Sequence, residues 1–227
     1  MRQVIGRVNR RDFSLRAALA LAAVTGGVGS SARAQAPAPA PARPLILVVG
    51  DSLSAEYGLK RGDGWVPLLH KRLAEQKVAG SVVNASISGD TTSGGRARLP
   101  GLLAQHRPDI VVLELGANDA LRGLPLQSTE DNLLQMTKAA QAAGAKVLIV
   151  GIQVPPNYGA DYTRRFGEVF PKVAAATKAA LVPFLLKNVA DAPDAATLFQ
   201  ADRIHPIALA QPRMLDNVWP ELRKLMR

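Results

Sequence analysis

Apolar positions along this chain fall into short unbroken runs, separated by stretches whose apolar residues recur with helical spacing. Leu45–Val49 (LILVV) is apolar throughout and stops at Gly50, the pattern of a parallel strand covered on both faces. Ser81–Ala85, Asp109–Leu115 (DIVVLEL) and Lys146–Ile152 (KVLIVGI) repeat that pattern, and Leu181–Leu185 is read as a fifth strand. Between the strands the period changes. Trp65–Gln76 sets Val66, Leu69 and Leu73 against Lys71, Arg72 and Glu75, which predicts an amphipathic helix. Glu130–Ala143 (ended by Gly144) and Phe166–Ala180 are predicted helices, and Ala208–Leu225 reads as a closing amphipathic helix. Strands alternating with helices predict an α/β domain over residues 45–227, a five-stranded parallel sheet with helices on both faces. No internal repeat breaks it up.

The N-terminal residues follow a different pattern. Residues 1–34 hold Arg2, Arg7, Arg10, Arg11, Arg16 and Arg33 with a single acid, Asp12. Leu15–Val28 is apolar apart from Arg16, and Ala32-Arg33-Ala34 forms an A-x-A cleavage pattern. These three parts predict a cleavable export signal. The apolar run is too short for a bilayer core of ~30 Å, so no permanent anchor is expected. Arg10-Arg11 followed by Asp12-Phe13-Ser14-Leu15 resembles a twin-arginine signal. Residues 35–44 (QAPAPAPARP) read as an extended Pro/Ala-rich tether. The expected location is periplasmic or secreted.

Charge and composition narrow the function classes. The chain has 28 Lys+Arg and 18 Asp+Glu, a formal charge of +10. Without residues 1–34 the counts are 22 and 17, and the charge falls to +5. With aromatics at only 4%, stacking platforms are too few for nucleic-acid binding. The absence of cysteine excludes thiol catalysis, thiolate–zinc sites, iron–sulfur clusters and disulfides. Three histidines, His70, His106 and His205, leave little for a histidine-rich metal centre, and no cofactor or metal is expected.

Polar clusters stand just past the strand ends: Gly50-Asp51-Ser52, Ser88-Gly89-Asp90 and Gly116-Ala117-Asn118-Asp119. A fourth, Asp202-Arg203-Ile204-His205-Pro206, precedes the last helix. In parallel α/β folds the working loops lie beyond the carboxyl ends of the strands, so the four clusters should converge on one edge. Ser52 is then a candidate nucleophile, His205 its base and Asp202, three residues earlier, the acid that orients the imidazole through Nδ1. Pro206 should keep His205 out of helical geometry and start the final helix. The Ser52 and Gly89 N–H groups and the Asn118 amide are candidate oxyanion donors. Each residue alone also has a structural reading, Ser52 and Asp202 as helix caps and Gly89 and Asn118 as turn formers. Leu121, Leu124 and Leu126, in the loop after Asn118, and Tyr158 are candidates for lining an acyl-chain groove.

Two other motifs fail. Gly89–Arg96 has P-loop glycine spacing, but Gly95-Arg96 stands where Lys-Ser/Thr is required. No G-x-S-x-G surrounds Ser52, which argues against the ordinary α/β-hydrolase arrangement. His70 and His106 lie in or at the end of helical segments and read as structural.

GDSLSAEYGL (50–59), NASISGDTTSGG (84–95), GANDALRG (116–123) and DRIHP (202–206) resemble the four blocks of SGNH (GDSL) hydrolases. With QVPPNYGADY (153–162), the chain is most similar to the bacterial periplasmic multifunctional acyl-CoA thioesterase I/lysophospholipase/arylesterase group. The resemblance implies a flavodoxin-like three-layer α/β/α sandwich. It also implies Ser52 as nucleophile, Ser52, Gly89 and Asn118 as oxyanion donors, and Asp202 and His205 completing a triad. The expected substrates are small-molecule esters, thioesters or lysophospholipids, and a monomer is expected. Two alternatives stay open: a carbohydrate-ester deacetylase of the same fold, and a non-catalytic envelope protein that binds lipids or glycans.

Overall fold

Five strands form one all-parallel sheet in the order β2-β1-β3-β4-β5 in the computed structural model, which describes residues 43–227. They are β1 (Leu45–Gly50), β2 (Ser81–Asn84), β3 (Ile110–Glu114), β4 (Lys146–Val150) and β5 (Ala180–Val182). This is the flavodoxin-like doubly wound order. β1 and β3 sit side by side, with Ile46 facing Ile110 and Gly50 facing Glu114, so their carboxyl ends deliver the first and third polar clusters next to each other. The central runs Ile46–Val49, Ile110–Leu113 and Val147–Val150 are buried, as continuous apolar strands must be when both faces are covered.

Among the described residues there are six α-helices: α1 (Trp65–Glu75), α2 (Thr92–His106), α3 (Ala117–Leu121), α4 (Leu126–Ala142), α5 (Ala160–Thr177) and α6 (Gln211–Leu225). α1 and α6 pack together on one face, and α2, α4 and α5 on the other. The predicted three-layer α/β/α fold is the fold observed. α1 follows its pattern, burying Trp65, Val66, Leu69 and Leu73.

Several elements depart from the sequence reading. Of α2, only the helix end at His106 follows from the sequence, and the pattern assigns it no range. Its sequence carries Gly94, Gly95, Pro100 and Gly101, residues that weaken a helical signal, and it has no clear apolar stripe. Gly95 is there for close packing, because a β-carbon at that position would collide with the Leu115 side chain. α4 and α5 begin at Leu126 and Ala160, earlier than Glu130 and Phe166, because their polar first turns carry no apolar periodicity. β5 is cut to three residues. Pro206 does not start the final helix: it forms an isolated antiparallel bridge with Phe199, and α6 begins at Gln211 after a 3-10 turn at Ala208–Ala210.

The predicted export signal, and the tether except residues 43–44, lie outside the described residues. Among the described residues no helix is long and apolar enough to cross a membrane.

Candidate active site

The chain leaves β1 through Asp51 and turns at once, with the Ala55 N–H bonding the Asp51 carbonyl at 2.9 Å and the Tyr57 N–H bonding that of Ser52 at 3.3 Å. That turn holds the Ser52 hydroxyl at the sheet's carboxyl edge. His205 arrives there from 153 positions away, its Nε2 2.8 Å from Ser52 Oγ. Its Nδ1 lies 2.7 Å from Asp202 Oδ2. The other oxygen of Asp202 accepts the N–H groups of Ile204 (2.9 Å) and His205 (3.0 Å), so one carboxylate both shapes the turn and orients the ring. Chiefly because of the His205 N–H, the Asp202 carboxyl is held down at about 2. The Tyr57 ring packs against the imidazole with centroids 4.4 Å apart. The expected trio is thus brought together as a hydrogen-bonded chain.

Gly89 turns the chain with φ +79°, a conformation that disfavours a side chain. Its carbonyl accepts from the Arg122 guanidinium at 2.7 Å. Among the described residues, neither the Ser52 N–H nor the Gly89 N–H donates to a protein acceptor. Both residues line the same cavity, leaving two backbone donors open beside the hydroxyl. Asn118 differs from its partners. Its amide nitrogen donates to Asp51 Oδ2 at 3.1 Å and to the Asp90 carbonyl at 2.9 Å, so both hydrogens are already engaged.

Behind this row lies a buried acidic group that the sequence reading did not single out. Asp51 and Glu114 end adjacent strands with almost no exposure. The Asp51 carboxyl accepts from the Leu53 N–H at 3.0 Å, and burial pushes it up to about 7. Glu114 Oε2 accepts from the Ser54 hydroxyl at 2.7 Å and weakly from the Asp51 N–H at 3.4 Å. Burial, then the neighbouring Asp51 charge, raises the Glu114 carboxyl well above the usual range. The Trp65 indole N–H donates to the same Ser54 hydroxyl at 3.2 Å. Buried Asp119 accepts from the Thr92 N–H at 2.9 Å and from the Thr92 hydroxyl, tying α2 to α3. The available signal was an acid inside or just beyond an otherwise apolar strand.

The cavity holds about 830 Å³, ample for a small organic ligand. Leu121 and Tyr158 line it, as expected. Leu124 does not: its N–H bonds the Asp119 carbonyl at 2.9 Å in the turn after α3, away from the opening. Leu126 packs against the core instead. The apolar walls come from residues the sequence reading did not assign, among them Ile152 and Val154 past β4 and Phe184 and Leu186 past β5. His70 and His106 lie away from this cavity, and so do Trp65 and Trp219. Among the described residues no His/Asp/Glu cluster could hold a metal ion.

A family model described as "GDSL-like Lipase/Acylhydrolase family" matches residues 48–211. The chain is 54% identical over 181 residues to "Esterase TesA" of Pseudomonas aeruginosa, covering 80% of this chain and 89% of that protein. It is 42% identical to "Thioesterase 1/protease 1/lysophospholipase L1" of Escherichia coli K12, covering 80% and 84% respectively. Among solved structures, that of TesA superposes with a TM-score of 0.77, covering 80% of this chain and 99% of that one. The psychrotrophic esterase EstA from Pseudoalteromonas sp., in a structure inhibited by monoethylphosphonate, gives 0.75 at 39% identity, with 80% and 97% covered.

Proposed function

This chain belongs to the GDSL-like lipase/acylhydrolase family and is a carboxylic ester hydrolase, and from that premise we propose that it works through a Ser52–His205–Asp202 triad and an acyl-enzyme intermediate. The single observation that carries this reading is the unbroken chain from Ser52 Oγ through the imidazole to Asp202, placed at the mouth of an apolar cavity. His205 takes the Ser52 proton through Nε2 as the oxygen attacks the substrate carbonyl. The Asp202 carboxylate keeps the Nδ1 proton in place and stabilises the imidazolium. The Ser52 and Gly89 N–H groups receive the oxyanion, and Asn118 joins them by releasing one amide hydrogen from Asp51 or Asp90. His205 then protonates the leaving alcohol or thiol. A water deprotonated by the same imidazole attacks the acyl-enzyme and frees Ser52.

The cavity, lined by Leu121, Tyr158 and the segments after β4 and β5, suits an acyl chain, so small-molecule esters, thioesters and lysophospholipids are the proposed substrates. Wall chemistry disfavours the carbohydrate-ester alternative, since neither tryptophan lines the cavity. Two open N–H groups beside a base-bonded hydroxyl disfavour a purely binding role. Residues 1–34 act in this proposal as a cleavable export signal and 35–44 as a tether, which places a monomeric 45–227 domain in the periplasm or outside the cell.

The test is hydrolysis of p-nitrophenyl esters from C2 to C12 by residues 35–227, with Ser52→Ala alongside. Loss of about 10³- to 10⁶-fold in Ser52→Ala is expected. An optimum beyond C4 supports the acyl groove, whereas activity confined to C2 points to a deacetylase. Wild-type turnover by folded Ser52→Ala, or failure of a phosphonate probe to label Ser52, overturns the mechanism.

A further inference from the structure

The large apolar side chains that the described residues leave exposed are Tyr57, Ile87, Leu121, Tyr158, Ile204 and Leu209. Their distribution is one-sided. Tyr57 lies in the β1–α1 connection, Ile87 between β2 and α2, Leu121 on α3 just after β3, and Tyr158 after β4. Ile204 and Leu209 precede α6, whose first residue, Gln211, accepts from the N–H of Trp65 at the start of α1. Every one therefore stands at the sheet's carboxyl edge. The opposite edge and the outer helix faces carry none among the described residues. Four of them line the cavity itself, and Ile87 directly precedes the cavity residues Ser88 and Gly89. Soluble proteins seldom gather exposed apolar side chains around one opening unless that surface meets an apolar partner.

The charges at this rim point to the kind of partner. Exposed Arg203 lines the opening, exposed Arg122 donates to the carbonyl of the cavity residue Gly89 at 2.7 Å, and neither forms an ion pair among the described residues. The exposed Lys60 and Arg61 follow Tyr57 in the same connection. Of the nearby acids, Asp202 is held by His205 and Asp90 by Arg98, while Asp191 faces the cavity with only the Asn188 N–H on it. Tyrosine and arginine set among aliphatic tips make the side-chain mixture that sits at headgroup depth on a lipid surface.

We propose that this rim docks onto the surface of an aggregated anionic lipid, with the cavity mouth facing the acyl chains. Ile87 and Leu209 enter the headgroup boundary, and Arg122 and Arg203 face the phosphates. The proposal deepens the esterase reading by naming how the cavity meets a water-insoluble substrate, and it does not depend on the catalytic step.

The test uses residues 35–227. This segment holds every described residue, and the 80% of this chain that superposes on TesA spans 99% of the solved TesA chain. Sedimentation is measured with phosphatidylcholine vesicles, with and without about one-third phosphatidylglycerol. Wild type and Ser52→Ala should partition equally onto the phosphatidylglycerol vesicles, less onto phosphatidylcholine alone, and less again in high salt. The double variant Ile87→Glu/Leu209→Glu, which alters no residue of the triad, oxyanion donors or cavity lining, should lose at least about tenfold in partition. Its turnover of dissolved p-nitrophenyl butyrate should stay within about twofold of wild type. The docking proposal is overturned if wild type stays in the supernatant or the double variant partitions as wild type does. It is equally overturned if light scattering shows a dimer that the double variant breaks, since a second copy would then own the rim. Normal partition without any ester turnover leaves docking standing and removes the triad reading.

Discussion

Two aspartates serve one cluster from opposite environments. Asp202 sits in an open turn before α6, its side chain 37% exposed, with two backbone N–H groups on one oxygen and the imidazole on the other. Asp51 sits at the end of β1 with no exposure, one backbone N–H and the Asn118 amide as its partners, and the acids Asp90 and Asp119 nearby. The first is held at about 2 and the second pushed to about 7. Hydrogen-bond donors outweigh desolvation at Asp202, whereas desolvation outweighs donors at Asp51. One group therefore stays a fixed negative charge for the imidazole throughout the neutral range. The other changes charge within it, directly behind a proposed oxyanion donor.

The comparison is broken most severely at Asp202. In Asp202→Asn the remaining oxygen can still accept the Ile204 and His205 N–H groups, so the turn should survive. The new amide presents a donor to Nδ1, however, and drives the imidazole into the wrong tautomer. A fall in kcat on the order of 10³- to 10⁴-fold is expected for p-nitrophenyl butyrate hydrolysis, with the variant still folded but melting at a modestly lower temperature at neutral pH, where the ionised carboxylate contributes to stability. A loss below tenfold would remove Asp202 from the triad.

Asn118 joins the two regions, and its effect should be smaller. Asn118→Ala removes the proposed third oxyanion donor and should lower kcat by about 10² to 10³ with little change in KM. Because its amide is engaged with Asp51 and Asp90, part of its binding energy goes to holding these loops together. A variant that loses thermal stability but keeps kcat would make Asn118 purely structural.

Asp51 should show itself mainly in stability. A carboxyl raised on folding binds its proton more tightly in the folded state, so its contribution is fully present below the unfolded value near 3.8. That contribution is lost as pH rises through about 7. Asp202, lowered on folding, behaves oppositely: its contribution is present above 3.8 and is lost as pH falls toward about 2. The stability of wild type, read by thermal unfolding, should therefore fall between about pH 4 and 7 by roughly a few kcal/mol from Asp51 alone. Asp51→Asn, which keeps an acceptor for the Leu53 N–H, should flatten that slope. An equal slope in wild type and variant would show that Glu114 or another group carries it.

The two regions were unequally legible in the sequence. Asp202 and His205 lie three residues apart, and a three-residue reach is a local property of the turn, so their pairing could be argued before any fold was known. Ser52, Gly89 and Asn118 could be named because each follows a recognisable strand, and parallel topology sends strand ends to one edge. The polarity of the Asp51–Glu114 contact was visible only as two acids in separate apolar segments. Their meeting depends on β1 lying beside β3 with Gly50 opposite Glu114. The bonds that engage the Asn118 amide are likewise a matter of where α3 places it.

The residues of this chain by themselves determined the alternation of strands and helices, the α/β class and the identity of the polar clusters. These follow from local periodicity and from the chirality of parallel connections, which act over a few residues or one crossover. Tertiary structure decided the rest: helix α2, whose glycines make sense only against Leu115; the exclusion of Leu124 from the cavity; the walls supplied past β4 and β5; and the burial that separates Asp51 from Asp202. Packing, desolvation and cavity shape depend on which segments meet, and no local pattern in the chain encodes that meeting.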